Sequence, residues 1–365
     1  MLRVAILGGT GNFGGYVARS LADDPRIELI LCGRSLERAE AAASVLEAAN
    51  TARGAVVDLA EAGPALAALE PNLVINMVGP YHTQDYAAPR AAIACGAHYC
   101  DIADARDFVC GIVELDAAAR EAGVAVLAGA SSVPALTAAY IDDAIASGLT
   151  VRSVSYGISG AEQANRGVGT VSAVLSYVGK PFLHLRDGAW REVKGWSGLH
   201  TVRYPELGLR WFGAGNVPDL GLFPDRYPAL RDHSFWAGHE IAPLHWGTWA
   251  MGWLVQWGLL PRLDRFAGQL ARVSSLFNWM GRSRSGFHMF IGGEDAEGRP
   301  FQRKHWIIAR NGDGPHIPCI PVILIARMLA RGLALSPGAR PCLDLITLKT
   351  YRDGMDGLDV TFIDE

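Results

Sequence analysis

Three side chains in the first third of the chain have the chemistry of proton donors. Tyr81 and His82 directly follow the apolar run NLVINMVGP, and Asp104 ends the run HYCDIAD. Histidine titrates close to neutral pH, and a positioned tyrosine or carboxyl group can also pass a proton to a reacting atom. These residue types predict acid–base chemistry at Tyr81, His82 and Asp104. Alternatively, Tyr81 and His82 are structural, with Tyr81 packing on the ring of a bound ligand and His82 capping the next helix, and Asp104 is a solvent-facing cap.

A glycine-rich segment near the start of the chain could hold a phosphate group. Residues 8–15 read GGTGNFGG, between the apolar run LRVAIL and the helix-like sequence YVARSLA. Because glycine has no Cβ, the G-x-x-G-x-x-G spacing allows a tight turn from strand to helix and lets main-chain N–H groups approach a pyrophosphate. We therefore predict a dinucleotide site. Its predicted contacts in this loop are Gly8, Thr10, Gly11, Asn12, Phe13 and Gly14.

The end of the second predicted strand, RIELILCGRS, indicates which dinucleotide is bound. A site for NAD usually has an acidic side chain here, on the ribose 2′-hydroxyl. This sequence has Arg34 and Ser35 instead. A guanidinium and a hydroxyl suit a 2′-phosphate, so the sequence predicts NADP(H), with NAD as the less favoured cofactor. Alternatively, Arg34 is a solvated residue at the start of a helix.

Two later segments complete the predicted cofactor site. Asp58 and Leu59 follow the third predicted strand and would touch the adenine, although Asp58 could equally be a helix cap. Val78, Gly79 and Pro80 follow the fourth strand. The carboxyl ends of parallel strands line a ligand crevice, so this segment is predicted to form the floor of the nicotinamide site.

The elements that must position these residues alternate as strand and helix over residues 1–130. This alternation predicts an α/β fold, a Rossmann-type doubly wound parallel sheet, followed by a second α+β domain. We place a dinucleotide-binding domain at 1–150 and a domain for substrate binding and dimerisation at 151–317. Residues 318–365 are expected to return and pack on the first domain. In this arrangement four polar residues face one crevice, although each could instead be a solvent-facing cap: Asp101, Asp104, Ser131 and Ser132.

The second domain is less regular in sequence. It begins with a strand-like stretch, VRSVSYGIS. Loops rich in glycine, proline and tryptophan follow, with the hydrophobic stretch at 241–260 and a hairpin formed by FHMFIGG and RKHWIIAR. Residues 167–172 (GVGTVS) open a predicted helix whose N–H groups and hydroxyls could hold a carboxylate or phosphate, or could simply cap the helix. Residues 320–331 predict an apolar helix.

Composition excludes several classes of function. The chain has 365 residues, half of them apolar, which is enough for two cores. A net charge of −4 and the lack of a basic stripe argue against nucleic acid. The six cysteines form no C-x-x-C pair and the histidines no H-E-x-x-H motif, so no metal site is predicted. The chain starts with a strand rather than a signal peptide, and we expect a cytoplasmic protein.

Residues 241–260, IAPLHWGTWAMGWLVQWGLL, carry no formal charge when His245 is neutral. Four tryptophans spaced three or four residues apart would form a stripe on one helical face: Trp246, Trp249, Trp253 and Trp257. Three interpretations stay open: a helix in the core or at a homodimer interface, a lipid-facing surface, and a membrane span. The first is the preferred interpretation. Tryptophan's preference for membrane interfaces and the three arginines that follow, Arg262, Arg265 and Arg272, are the argument for the second.

The motifs GGTGNFGG, CGRS, VVDL, VINMVGPY and GAHYCDIAD, in this order and spacing, resemble the NADP-binding domain of the saccharopine dehydrogenase-like oxidoreductases. VPALTAAYIDD and GVGTVSAVL are similar to later stretches of that family, and GEDAEGRPF, GDGPHIPCIP and SPGARPC resemble its bacterial branch. The resemblance is strong over residues 1–150 and patchy over 151–280. It implies hydride transfer to a C=N or C=C bond, with a second domain that supplies the substrate pocket and part of a dimer contact.

One departure from this family bears on the substrate. A saccharopine-type substrate carries several carboxylates and would need an arginine-rich pocket, whereas the middle of this chain is largely aromatic and aliphatic. We therefore expect an NADP(H)-dependent reductase acting on an imine or enone of a small or lipid-like substrate. The alternative is a non-catalytic NADP(H)-binding protein that associates with membrane lipid or a partner protein.

Overall fold

The computed structural model describes residues 1–164, 167–260 and 262–365, which form two compact units. The first unit comprises residues 1–136 and 316–346, and the second comprises 137–315 and 347–365. The sequence placed the boundaries at 150 and 317. Residues 137–150 fall in the second unit because the helix that they contain packs on the first strand of that unit.

The first unit is built on a sheet of seven strands, and every strand pair in it is parallel. The strands are β1 (Leu2–Leu7), β2 (Ile27–Gly33), β3 (Ala52–Val56), β4 (Leu73–Asn76), β5 (His98–Asp101), β6 (Ala125–Ala128) and β15 (Gly338–Pro341). Their order is β15-β6-β5-β4-β1-β2-β3. The order reverses between β1 and β4, and ligands bind at such a switch point in open parallel sheets.

The helices of the first unit are α1 (Asn12–Leu21), α2 (Leu36–Ser44), α3 (Ala62–Leu69), α4 (Ala87–Ala94), α5 (Arg106–Gly111), α6 (Asp116–Glu121) and α12 (Ile320–Ala330). Strands β4 and β6 are buried along their whole length, as expected for a parallel sheet covered on both faces. The predicted α/β fold class is confirmed. The apolar helix α12 joins this unit, where Arg327 Nη2 donates to the carbonyl of Ser20 at 2.7 Å.

The second unit is built on a nine-stranded mixed sheet. Its strands are β7 (Thr150–Gly160), β8 (Pro181–Arg186), β9 (Ala189–Lys194), β10 (His200–Tyr204), β11 (Gly208–Ala214), β12 (Asp232–His239), β13 (Ser285–Glu294), β14 (Pro300–Ala309) and β16 (Val360–Asp364). The main path runs β10-β11-β12-β7-β13-β14-β16, and β8 joins β12 to β9. The helices are α7 (Thr137–Ala146), α8 (Gly167–Tyr177), α9 (Asp219–Arg226), α10 (Ala242–Gln256), α11 (Ala267–Ser275) and α13 (Leu348–Asp353).

The predicted hairpin of the second unit is present, since β13 and β14 pair antiparallel from Ser285↔Ala309 to Glu294↔Pro300. The reading of the rest of residues 151–310 as mostly loops is wrong. Strands β8 to β12 and helix α9 form there. Strand β9 (AWREVK) is an example. It pairs only with β8 and has no fully buried residue, so its sequence does not alternate between apolar and polar residues as a half-buried strand would. A strand without this alternation cannot be recognised from its sequence.

One buried hydrogen bond lies within the aromatic core of the second unit. Tyr204 Oη and His288 Nδ1 are 2.6 Å apart, and both residues are buried beside Phe212 and Trp306. Burial lowers the pKa of His288 to about 3, so the imidazole is neutral at physiological pH.

We predict that Tyr204→Phe lowers the free energy of unfolding by about 1–3 kcal/mol, because it leaves a buried imidazole nitrogen without its partner. The double variant Tyr204→Phe/His288→Phe should recover most of that loss, since it removes both polar groups. Urea unfolding of the wild type, the two single variants and the double variant measures this. Equal losses for the single and double variants would contradict the account.

Candidate functional site

The loop between β1 and α1 has no room for side chains at two of its glycines. Gly8 has φ +74°, a left-handed conformation that favours glycine, and a Cβ there would lie 3.0 Å from Val78 Cγ2. A Cβ on Gly14 would overlap the carbonyl group of Gly8. The loop therefore brings the start of α1 close to the ends of β1 and β4.

The N-terminus of α1 lies in this loop and has no side-chain cap. Its N-cap residue, Gly11, is extended (φ −82°, ψ 175°) and donates its own N–H to the Gly8 carbonyl at 2.9 Å. The first N–H groups of a helix have no partner within the helix, and their dipoles favour an anion. Thr10, Gly11 and Asn12 are exposed, so this end of the helix is accessible to a phosphate group.

Arg34 and Ser35 follow β2 at the same edge of the sheet. Arg34 is exposed, and it forms no ion pair within the part of the chain that the structure describes. Ser35 is the N-cap of α2, where its hydroxyl accepts from the Arg38 N–H at 3.4 Å. Thr10 Oγ1 would lie 3.6 Å from a Cβ at Gly33, so the glycine loop and the Arg34 segment are neighbours. An accessible guanidinium at this place fits a 2′-phosphate.

Asp58 and Leu59 follow β3, the neighbour of β2. Asp58 Oδ1 accepts from the Ala60 N–H at 3.1 Å and caps the short 3₁₀ turn Leu59–Glu61. Asp58 is therefore a helix cap, as the alternative interpretation of the sequence proposed. Both residues remain at least partly exposed.

The segment after β4 is held in place by the side chain of Asn76. This buried amide donates to Tyr99 Oη at 3.2 Å and accepts from the Val78 N–H at 3.0 Å. Gln84 adds a hydrogen bond from its Nε2 to the Val78 carbonyl. These bonds fix the main chain of Val78, which lies beside Gly8. That residues 78–80 form the floor of the nicotinamide site stays a prediction.

Tyr81 and His82 lie in the 3₁₀ turn Tyr81–Thr83 but differ in environment. Tyr81 is buried and its hydroxyl donates to the Asn76 carbonyl at 2.7 Å. Burial, with smaller contributions from Asp101 and Asp104, raises its pKa well above the usual value. These observations favour a structural role for Tyr81. His82 is partly exposed.

Two carboxyl groups follow β5. Asp101 is fully buried, and its Oδ1 accepts from the N–H groups of Ala103 and Gly129 at 2.9 and 2.8 Å. Asp104 is partly exposed and thus accessible to a ligand. Burial raises the pKa of both groups to about 6. Ser131 and Ser132, after β6, are buried, so the solvent-facing alternative does not apply to them.

The second unit contains a pocket of about 670 Å³ between α8, α10 and α11. Its walls are mainly aliphatic and include Val171, Val174, Leu244, Met251, Leu270 and Val273. No lysine or arginine lines it among the described residues. The predicted anion site at residues 167–172 opens α8, but in the structure Gly167, Val168 and Thr170 face this apolar pocket.

Buried acidic residues of the second unit were not found from the sequence. Glu162, at the edge of the pocket, accepts from Ser274 Oγ at 2.8 Å. Asp219 Oδ2 accepts from Thr137 Oγ1 at 2.6 Å and Tyr156 Oη at 2.7 Å, and burial raises its pKa to about 7. An acid within an apolar run, as in VPDLGLF, is the signal that could have indicated Asp219.

The described residues contain neither a cluster of metal ligands nor a helix able to span a membrane. No group of three or more metal-ligating side chains was found in them. None of their helices combines the length and apolar character needed to cross a bilayer.

Part of the chain matches a known protein family. Residues 4–127 match the model described as saccharopine dehydrogenase NADP binding domain. This range runs from β1 to β6 and contains every predicted cofactor contact and proton donor. The resemblance of the motifs in this range to that NADP-binding domain is thereby confirmed, whereas the resemblance of the later motifs to a bacterial branch stays a prediction. A search of curated proteins found no significant match.

Among solved structures, a saccharopine dehydrogenase (L-Glu forming) from Saccharomyces cerevisiae aligns over 100% of both chains, with a TM-score of 0.69 and 14% identity. A meso-DAPDH mutant with DAP from Clostridium tetani E88 covers 96% of each chain, at TM-score 0.48 and 12% identity. An amine dehydrogenase from Mycobacterium smegmatis covers 94% of this chain and 95% of its own, at 0.47 and 12%. At 14% identity the yeast structure shows a shared fold only, and the other two similarities are weaker.

The buried Asp101 carboxyl should make the stability of the protein depend on pH. Its pKa rises from 3.8 to about 6 on folding, so the folded protein binds more protons than the unfolded chain between these values. Stability is therefore lost as the pH rises through this window, by about 3 kcal/mol at most. In Asp101→Asn the amide oxygen can still accept both N–H bonds without carrying a charge. We expect the variant to gain stability relative to the wild type between pH 4 and pH 8.

Urea unfolding at pH 4, 6 and 8 measures this difference. Asp58→Asn makes the same substitution at an exposed cap and serves as the matched control. A stability difference for Asp101→Asn that is independent of pH would show that the carboxyl is ionised in both states.

Proposed function

From the premise that this chain carries a saccharopine dehydrogenase-type NADP-binding domain, we propose that it is an NADP(H)-dependent oxidoreductase. In this proposal it reduces a C=N or C=C bond of a small or lipid-like substrate. The supporting observation is the segment from Gly8 to Gly14, which has no room for a Cβ at Gly8 or Gly14 and contains an uncapped helix N-terminus. The family match over residues 4–127 includes this loop.

The residues of the first unit fit NADP(H) in type and exposure. The loop and the start of α1 would hold the pyrophosphate, and Arg34 with Ser35 would hold the 2′-phosphate. Asp58 and Leu59 lie where the adenine is expected, and the fixed main chain at 78–80 would lie under the nicotinamide. When bound, NADPH supplies the hydride.

A reduction by hydride also consumes a proton, which this chain must deliver. Asp104 is partly exposed and has a pKa of about 6, so a fraction of it is protonated near neutral pH. We assign the general acid to Asp104, with His82 as the second candidate. Tyr81 acts as a positioning residue, because its hydroxyl is committed to the Asn76 carbonyl.

The pocket of the second unit supports an apolar substrate. Its aliphatic walls and the lack of basic side chains among its described lining residues do not suit a substrate with several carboxylates. A pocket of about 670 Å³ is within the usual range for small-molecule sites.

We predict that Arg34→Asp shifts the cofactor preference from NADPH towards NADH. Losing the guanidinium removes a charge-assisted contact to the 2′-phosphate, and the new carboxylate would repel that group. The dissociation constants of NADPH and NADH, measured by fluorescence titration, give the ratio. Arg19→Asp makes the same change of charge at the exposed far end of α1 and should leave the ratio unaltered. An unchanged ratio in Arg34→Asp would remove Arg34 from the cofactor site.

A second prediction concerns Asp104. With a cyclic imine or a long-chain enone as substrate, Asp104→Asn should reduce kcat by about 10²–10⁴-fold, the range for loss of a general acid, while NADPH affinity stays within twofold. The wild-type rate should fall as the pH rises through about 6, because the acid must be protonated. The variant should lose that limb of the pH profile.

The non-catalytic alternative is favoured by one observation, the structural bonding of Tyr81, which removes one candidate donor. It predicts that NADPH binds but that its absorbance at 340 nm stays constant with every imine and enone tested. Oxidation of NADPH that depends on substrate and on Asp104 would exclude it.

A further inference from the structure

A short part of the second unit holds a large share of the exposed apolar side chains. Twenty large hydrophobic residues are exposed in the described chain, and nine of them fall between residues 246 and 280. We call these nine the tryptophan surface: Trp246, Trp253, Trp257, Leu259, Phe266, Val273, Leu276, Trp279 and Met280. Clusters of this size on a protein surface mark interaction sites.

Helix α10 exposes three tryptophan side chains on one of its faces. Trp246, Trp253 and Trp257 are 49%, 40% and 67% exposed, and their spacing of seven and four residues puts them on one helical face. The opposite face buries His245 and Thr248. The helix thus has its polar groups inside and its indoles outside, the reverse of an ordinary surface helix.

The surface continues beyond α10 into the short segment after α11. Leu276 and Trp279 are 71% and 80% exposed there, more than any tryptophan of α10. Burying a large apolar side chain is favourable, and these two side chains are not buried against any other part of the described chain.

The charge of this part of the chain has the opposite sign to that of the whole. Residues 241–284 contain five arginines and one acidic residue, a net charge of +4, whereas the chain carries −4. The acid, Asp264, is paired with Arg262 at 2.8 Å. Arg265, Arg272 and Arg282 are exposed.

We propose that the tryptophan surface docks on an anionic lipid bilayer. Tryptophan favours the boundary between headgroups and acyl chains, and basic side chains are attracted to anionic headgroups. A helix that presents aromatic residues on one face near exposed arginines is typical of a segment that lies in this interface. This inference concerns the second unit alone and does not rest on the proposed function.

Charge argues for lipid rather than a second copy of the chain as the occupant. A two-fold interface places the same patch of both subunits face to face. Arg265 and Arg272 would then meet a surface that is itself basic, with Asp264 already paired. An anionic membrane instead supplies the opposite charge.

The experiment is flotation of the full-length protein with vesicles of phosphatidylcholine alone and of phosphatidylcholine containing 30% phosphatidylserine. The wild type should float with the anionic vesicles and only weakly with the neutral ones, and added salt should weaken the binding. Trp257→Ser/Trp279→Ser and Arg265→Gln/Arg272→Gln should each bind the anionic vesicles at least tenfold more weakly.

The matched controls are Trp190→Ser and Arg191→Gln, which change an exposed tryptophan and an exposed arginine of β9 and should bind like the wild type. Circular dichroism and an unchanged midpoint of urea unfolding show that each variant is folded. The proposal is overturned if the wild type does not float with anionic vesicles, or if the control variants lose binding equally. It is also overturned if light scattering shows a dimer that Trp257→Ser/Trp279→Ser dissociates while vesicle binding is absent.

Discussion

The close contact between α1 and the end of β1 is the constraint on which the first unit depends. The start of the helix can approach the strand only because Gly14 places no side chain against the carbonyl of Gly8. The same loop is tied to both neighbouring strands: Gly8 donates to the Cys32 carbonyl at 3.0 Å, and Leu7 accepts from the Met77 N–H at 2.9 Å. A side chain at position 14 would therefore displace the start of α1 and the ends of the neighbouring strands together.

Burial sets the charge of the acidic groups at the carboxyl ends of the strands in the first unit. Positive and hydrogen-bond-donating groups lie after β1 and β2, where phosphates would be held. Acidic groups lie after β5, and desolvation keeps Asp101 and Asp104 partly protonated near pH 6. Such groups can stay at the same edge of the sheet as a polyanionic ligand with less repulsion than ordinary carboxylates would cause. Asp101 has a structural task as well, since its bonds to Ala103 and Gly129 join the loops after β5 and β6.

The sequence predicted the first unit far better than the second, and the reason is physical. Strand β1 and the glycine loop are local features: a buried apolar run and a turn that only glycine allows can be recognised without tertiary contacts. The same holds for the hairpin of β13 and β14. In contrast, β8 to β12 depend on pairing between distant residues, such as His233 with Leu185, and β9 carries charged residues on an exposed edge. The pocket could not be predicted because three helices from separate segments line it, and the role of Tyr81 depended on one bond to a main-chain carbonyl.

The path of the chain through the two units has a consequence for how the protein folds during synthesis. Strand β6 ends at Ala128, but its neighbour β15 begins only at Gly338, after the greater part of the second unit. Until that strand leaves the ribosome, one side of β6 is an open sheet edge that can pair with other chains. The sheet of the first unit therefore cannot be completed until residues 338–341 have been synthesised, although six of its seven strands lie within residues 1–128.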